Sequence, residues 1–185
     1  MPPKEPRIAP LAEREWSAEQ RELLTLVTRG KPAHNVFTTL VRHPKLFKRW
    51  IPFGGHLLYA SSLAPREREL LILRTAWLAQ AEYEWGQHVE IAKRAGLTAA
   101  EIERVAAGPD AGGWIPEEAA LLTAADELYA DACLSEQTWS ALRQRYSETQ
   151  MMDLVFTVGA YAMLAMALNS FGVRLDAGLK GFEPG

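Results

Sequence analysis

Helix punctuation constrains this chain more than any other feature of its sequence. Ser17 with Gln20, Thr98 with Glu101, and Ser147 with Gln150 each stand three residues apart ahead of apolar periodic text. At that spacing an N-cap hydroxyl and an N3 side chain satisfy each other's backbone amides. Pro65 and Pro116 occupy first-turn positions, where a missing amide proton costs nothing. Ser135 opens a further segment, and Gly96 is placed to close one. Strand patterns of period two are nearly absent. The signals predict an all-α chain of about eight or nine helices. One runs from Ser17 to about Thr28, and a short one covers residues 36–42. The text "KLFKRWIPFGGHLLYA" holds another, bent or split at Pro52 or at Gly54–Gly55. The expected organisation is one domain over 1–185, with a proline-rich arm at 1–16 and a tail at 178–185.

Charge and cysteine usage exclude several function classes. The net charge is −3 and no lysine or arginine run is long, so neither nucleic acid nor an anionic membrane is an expected partner. The N-terminal text "MPPKEPRIAPL" lacks the apolar segment of a signal peptide, which implies a cytoplasmic protein. Residues 154–168 are apolar but shorter than the roughly 20 residues of a membrane span, so a core or interface helix is expected there. Cys133 is the single cysteine, and one thiol cannot form an intramolecular disulfide.

The stretch "AEYEWGQHVEIA" at 81–92 carries the sharpest chemical signal. On a helical wheel Ala81, Trp85, Val89, Ile91, Ala92 and Ala95 share one side. Glu82, Tyr83, Gln87, Glu90, Lys93 and Arg94 share the other. Glu84 and His88 fall with the apolar set, one turn apart, where a carboxylate can reach an imidazole. Two readings stand. The pair is an acid/base couple in which Glu84 orients the ring of His88, or it is a structural contact that fixes helix register or a subunit interface. Glu69, in "ELLILRTAWLA", also sits on a core-facing side, and Arg74 in the same run is a plausible counter-ion. A metal site needs a third ligand, for which His56 and Glu69 are the candidates. Trp77 and Trp85 are the tryptophans best placed to wall a substrate pocket, with His56 and Arg74 as its polar candidates. No metal and no cofactor is expected.

Residues 63–97, "LAPRERELLILRTAWLAQAEYEWGQHVEIAKRAGL", resemble the carboxymuconolactone decarboxylase family, which includes the alkylhydroperoxidase D-like proteins. The resemblance extends more loosely over about 33–178. It implies an alkylhydroperoxidase D-like multi-helix fold and a homo-oligomer, commonly a trimer or hexamer, with the dimer as a smaller alternative. In the family's redox branch a glutamate precedes Cys-x-x-Cys-x-x-x-His. Position by position, the glutamate matches Glu69, the two cysteines match Ala81 and Glu84, and the histidine is His88. Both sulfurs are missing, so dithiol peroxidase activity is not expected. The resemblance implies instead a cofactor-independent decarboxylase, lactone-processing or isomerase-type enzyme acting on a small molecule. In it His88 would be the general acid/base, Glu84 its orienter and Glu69 a second proton carrier. The alternatives are a non-catalytic oligomeric binding protein on the same scaffold, or a metal-dependent enzyme.

Overall fold

A computed structural model describes residue 3 and residues 5–182. Among these, nine α-helices and no strand are present: α1 (Ala18–Thr28), α2 (Asn35–Leu40), α3 (Pro44–Gly55), α4 (Pro65–Leu78), α5 (Glu82–Arg94), α6 (Ala99–Ala107), α7 (Pro116–Asp131), α8 (Glu136–Arg143) and α9 (Glu148–Phe171). The capping boxes form as their spacing predicts. Ser17, Thr98 and Ser147 each accept from the backbone amide three residues on, and Gln20, Glu101 and Gln150 return the bond. Pro65 and Pro116 open α4 and α7.

The centre of the fold is α4, in which Arg68, Glu69 and the seven residues that follow are all buried. A helix covered on every side needs neighbours all round, and α5, α6, α7 and α9 supply them. Leu70, Leu71 and Leu73 meet Trp85 and Ala92 of α5, Ile102 and Val105 of α6, Leu121 and Leu122 of α7, and Leu154 and Val158 of α9. A smaller cluster of Leu24, Val41 and Phe47 joins α1 to α3. The chain keeps its helical course past Pro52 and changes hydrogen-bond register only at the Gly54–Gly55 pair, after which a π-helical turn spans His56–Ala60.

The N-terminal arm lies on the chain's own surface. The amides of Arg7 and Ile8 donate to the Phe171 carbonyl at 2.8 and 3.2 Å, and Arg42 donates to the Ala9 carbonyl at 2.7 Å. At the other end Gly172, with φ at +72°, stops α9 and turns the chain back across α5. A Cβ on Gly86 would stand 2.6 Å from Leu175 Cδ2 and 2.7 Å from the Lys180 carbonyl oxygen, so this close crossing requires glycine in α5. Asp176 then accepts from the Tyr83 hydroxyl at 2.7 Å and the Asn35 amide at 2.8 Å. This corrects the helical-wheel placement of Tyr83 on the polar side. It is 5% exposed, because the returning segment and α2 cover a face that the periodicity of α5 alone leaves to water.

Candidate functional site: a buried histidine–carboxylate pair

The site is made by α4 and α5, which fold back on one another through residues 79–81 and bring Glu69 opposite His88. The Nδ1 atom of His88 lies 2.7 Å from Oε2 of Glu69. On the other carboxylate oxygen, Arg68 donates through Nε and Nη2, each at 3.0 Å. All three side chains are buried. A carboxylate only accepts, so Nδ1 carries the proton of this bond and Nε2 is the basic nitrogen. Arg68 supplies the counter-charge that a carboxylate with no solvent exposure requires.

Glu84 is the anomaly. Both its carboxyl oxygens are buried and neither has a hydrogen-bond partner among the described residues. Burial alone pushes its carboxyl well above the usual range, because the protein replaces the water that would solvate the anion. Across the site, Tyr161 of α9 meets the His88 ring edge-on, with centroids 4.9 Å apart and an interplanar angle of 90°. Burial, then the charges of Glu69 and Glu84, push the Tyr161 hydroxyl well above its ordinary value, against the opposing charge of Arg68. One turn earlier on α9, the Thr157 hydroxyl is also buried, without a partner among the described residues.

Several expectations change. Glu84 does not orient His88, although the two share a face of α5. Glu69 holds the ring from the neighbouring helix and leaves Glu84 with nothing to bond. Arg74 is not a counter-ion for either glutamate. Five residues along α4 from Glu69 it points about 140° away, where it binds Asp126 at 2.6 Å and the carbonyls of Val105 and Ala106. His56 is held by Asp153 of α9, with its Nε2 at 3.3 Å, and does not join the pair. Trp77 and Trp85 lie 5.4 Å apart and stack with Phe182 from the C-terminal segment, at 5.2 and 5.6 Å. Among the described residues no three metal-ligating side chains converge.

Two surface clefts are present, of about 530 Å³ beside Arg7, Gln80, Glu82 and Phe182, and of about 290 Å³ beside Tyr83, Gly172 and Arg174. Neither is lined by Glu69, Glu84 or His88. Sequence reasoning missed Arg68 and Tyr161. The signal for Tyr161 was a lone phenol in the charge-free text between Asp153 and Arg174. Arg68 adjoins Glu69 and reads as one more charge in a solvated "RERE" run.

This geometry defines an all-α protein whose ionisable centre lies in a helix hairpin without redox sulfur. Residues 44–127, a little under half of the chain, match the carboxymuconolactone decarboxylase family model, and the chain has an alkylhydroperoxidase D-like fold. It is similar to an uncharacterised peroxidase-related protein with an alkylhydroperoxidase AhpD core from Ralstonia eutropha JMP134, at 20% identity and a TM-score of 0.79, covering 92% of this chain and 93% of that one. A peroxidase-related protein from Silicibacter sp. TM1040 aligns at 15% identity and a TM-score of 0.80, covering 95% of each chain. A cysteine-to-alanine variant of the debrominase Bmp8, in complex with 2,3,4-tribromopyrrole, aligns at 14% identity and a TM-score of 0.78, covering 94% of each. No curated protein matches the chain in sequence. The all-α fold read from the helix punctuation is borne out, the family match spans the helix hairpin at residues 63–97, and these distant structures speak to fold alone.

Proposed function

We propose that the chain is a cofactor-independent enzyme that moves a proton on a small unsaturated or aromatic-derived acid, by decarboxylation, lactone processing or isomerisation. The observation that carries this reading is the Glu69–His88 bond of 2.7 Å, braced by Arg68 on the far carboxylate oxygen. That bond fixes the imidazole's tautomer and leaves Nε2 to exchange a proton with substrate. In a decarboxylation the electron pair of the breaking carbon–carboxylate bond enters the conjugated system as carbon dioxide leaves, and a proton then returns to carbon. Glu84, with unused hydrogen-bonding capacity one turn from His88, and the Tyr161 phenol against the ring are suited to donate to the oxygen on which negative charge collects. One structural neighbour is a debrominase, so enzyme chemistry is at home on this scaffold.

The test is turnover of carboxymuconolactone and related unsaturated acids, followed by carbon dioxide release and ultraviolet absorbance. A His88→Ala variant with unchanged circular dichroism is expected to lose about 10²- to 10⁴-fold in kcat/KM. Undiminished turnover in that variant, or none by the parent protein across the series, would sink the proposal. The clefts favour a second reading, because neither reaches the pair. A non-catalytic oligomeric scaffold would keep Glu69–His88 as a structural contact, and its mark is loss of stability in His88→Ala with no chemistry to lose.

A further inference from the structure

Glu69, Glu84 and His88 are all buried, so a small molecule reaches the imidazole only if part of the fold moves. The packing of α9 on α4 shows from which end. Asp153 of α9 accepts from the amide of Ser62, just ahead of α4, at 2.6 Å. Asn169 donates to the carbonyl of Ala79, just past α4, at 2.9 Å. These bonds span 91 and 90 residues, so the two helices run parallel and Glu69 lies level with the turn between Thr157 and Tyr161. Asp153, Thr157 and Tyr161 follow at steps of four on one buried face of α9, about 6 Å apart along its axis. That face leads from Asp153, past the Thr157 hydroxyl with no partner among the described residues, to the phenol that rests on His88. Helix α5 folds back antiparallel to α4, which puts Glu84 beyond His88 on the same line.

The Asp153 end of that line is covered by the π-helical turn His56–Ala60 and the two serines after it. Besides the Ser62 amide, the Asp153 carboxylate accepts from the Ser62 hydroxyl at 2.7 Å, the Ser61 hydroxyl at 3.2 Å and Nε2 of His56 at 3.3 Å. Burial first, and lesser charges that include Tyr59 of this turn, raise the Tyr161 hydroxyl, which sets the Tyr59 side chain beside the site. Of the turn's five residues only Leu57 is buried. Such turns are rare and recur at functional sites. At its start stand Gly54 and Gly55, neither with a positive φ. A Cβ on Gly55 would meet nothing within 4 Å, and one on Gly54 would meet the Trp50 indole at 3.6 Å, an ordinary contact. The closed conformation therefore requires glycine at neither position, although two in succession weaken a helix. A hinge that changes its backbone angles does require it.

We propose that residues 56–62 form a lid over the histidine–carboxylate pair, hinged at Gly54–Gly55 and latched by Asp153, and that small molecules reach His88 beneath it along the Thr157 face. The lid rests on the proton-transfer role proposed for His88, but its test needs no turnover, so either reading can fail while the other stands.

The experiment is modification of the full chain by diethyl pyrocarbonate, which acylates an unbonded imidazole nitrogen, with each histidine followed by peptide mass spectrometry. His88 should react more slowly than the exposed His34 and His43, at a rate that urea below the unfolding transition leaves unchanged, because a local opening exposes little surface. Asp153→Asn should speed His88 by about tenfold or more, the worth of one hydrogen bond to a charged group, with His34, His43 and the circular dichroism unaffected. Ser62→Ala, a milder break of the latch, should move the rate the same way. Replacing Gly54 and Gly55 by alanine should slow it, by about fivefold for each glycine. Gly86→Ala, which loosens the C-terminal segment from α5, should leave it as it is. A His88 that never reacts, a rate that follows the urea dependence of global unfolding, or latch variants that leave His88 unchanged or speed every histidine alike would overturn the lid. Exposure of His88 by Gly86→Ala would put the entrance under the C-terminal segment and overturn it equally.

Discussion

Replacing Glu84 by glutamine tests the most unusual electrostatic feature of the site. The side chain is 2% exposed, its oxygens have no partner among the described residues, and burial raises its carboxyl well above the ordinary value of 4.5. Below 4.5 both the folded and unfolded chains hold the proton, and the carboxyl costs no more than the amide that replaces it. As pH rises from there, the unfolded chain ionises while the folded one stays protonated. Stability then falls by up to about 1.4 kcal/mol per pH unit, until the folded carboxyl itself titrates. For a chain of this length that slope is about 3–6 °C of Tm per pH unit. Glu84→Gln keeps the shape and the unmatched polar atoms but removes the proton equilibrium, so its stability should lack this decline. The assay is urea denaturation of both proteins at several pH values between about 5 and 7, at one fixed protein concentration. The variant's advantage should widen as pH rises, and taking the difference cancels the other titrating groups. An advantage that stays constant would mean that the folded protein gives Glu84 a partner, and the argument from burial would be wrong.

Arg68→Met removes the guanidinium from a carboxylate that has no solvent exposure, and should cost about 3–5 kcal/mol in denaturant unfolding, the range for breaking a buried pair. A loss below 1 kcal/mol on the scale of surface pairs would show that Glu69 does not depend on it. Gly86→Ala places a methyl 2.6 Å from Leu175 and 2.7 Å from the Lys180 carbonyl. It should cost about 1–3 kcal/mol and lift the C-terminal segment from α5, read as altered tryptophan emission when Phe182 leaves Trp77 and Trp85. Unchanged emission would contradict the close crossing.

Much of the fold was legible because helix ends are local. Ser17, Thr98 and Ser147 with their partners three residues on, and the first-turn prolines at 65 and 116, act within one turn of chain, and each signal stands where a helix begins. The missing sulfurs at Ala81 and Glu84 were equally plain, since they are matters of residue identity. The burial of Glu69, Glu84 and His88 also followed from periodicity, which reports the face a residue shares within its own helix.

Periodicity says nothing about which residue of a neighbouring helix will stand opposite. That depends on the rotation and offset of α4 against α5, set by the packing of Leu70, Leu73, Trp85 and Ala92 in the shared core. It gave His88 to Glu69, stranded Glu84, and sent Arg74 to Asp126. Tyr83 was misplaced for the same kind of reason, because a segment some ninety residues later in the chain covers it. Where the helices begin and which ionisable groups enter the core follow from local text. Which of those groups meet follows from packing, because hydrogen bonds form between atoms at about 3 Å, and only the docking of separate helices brings residues distant in sequence that close.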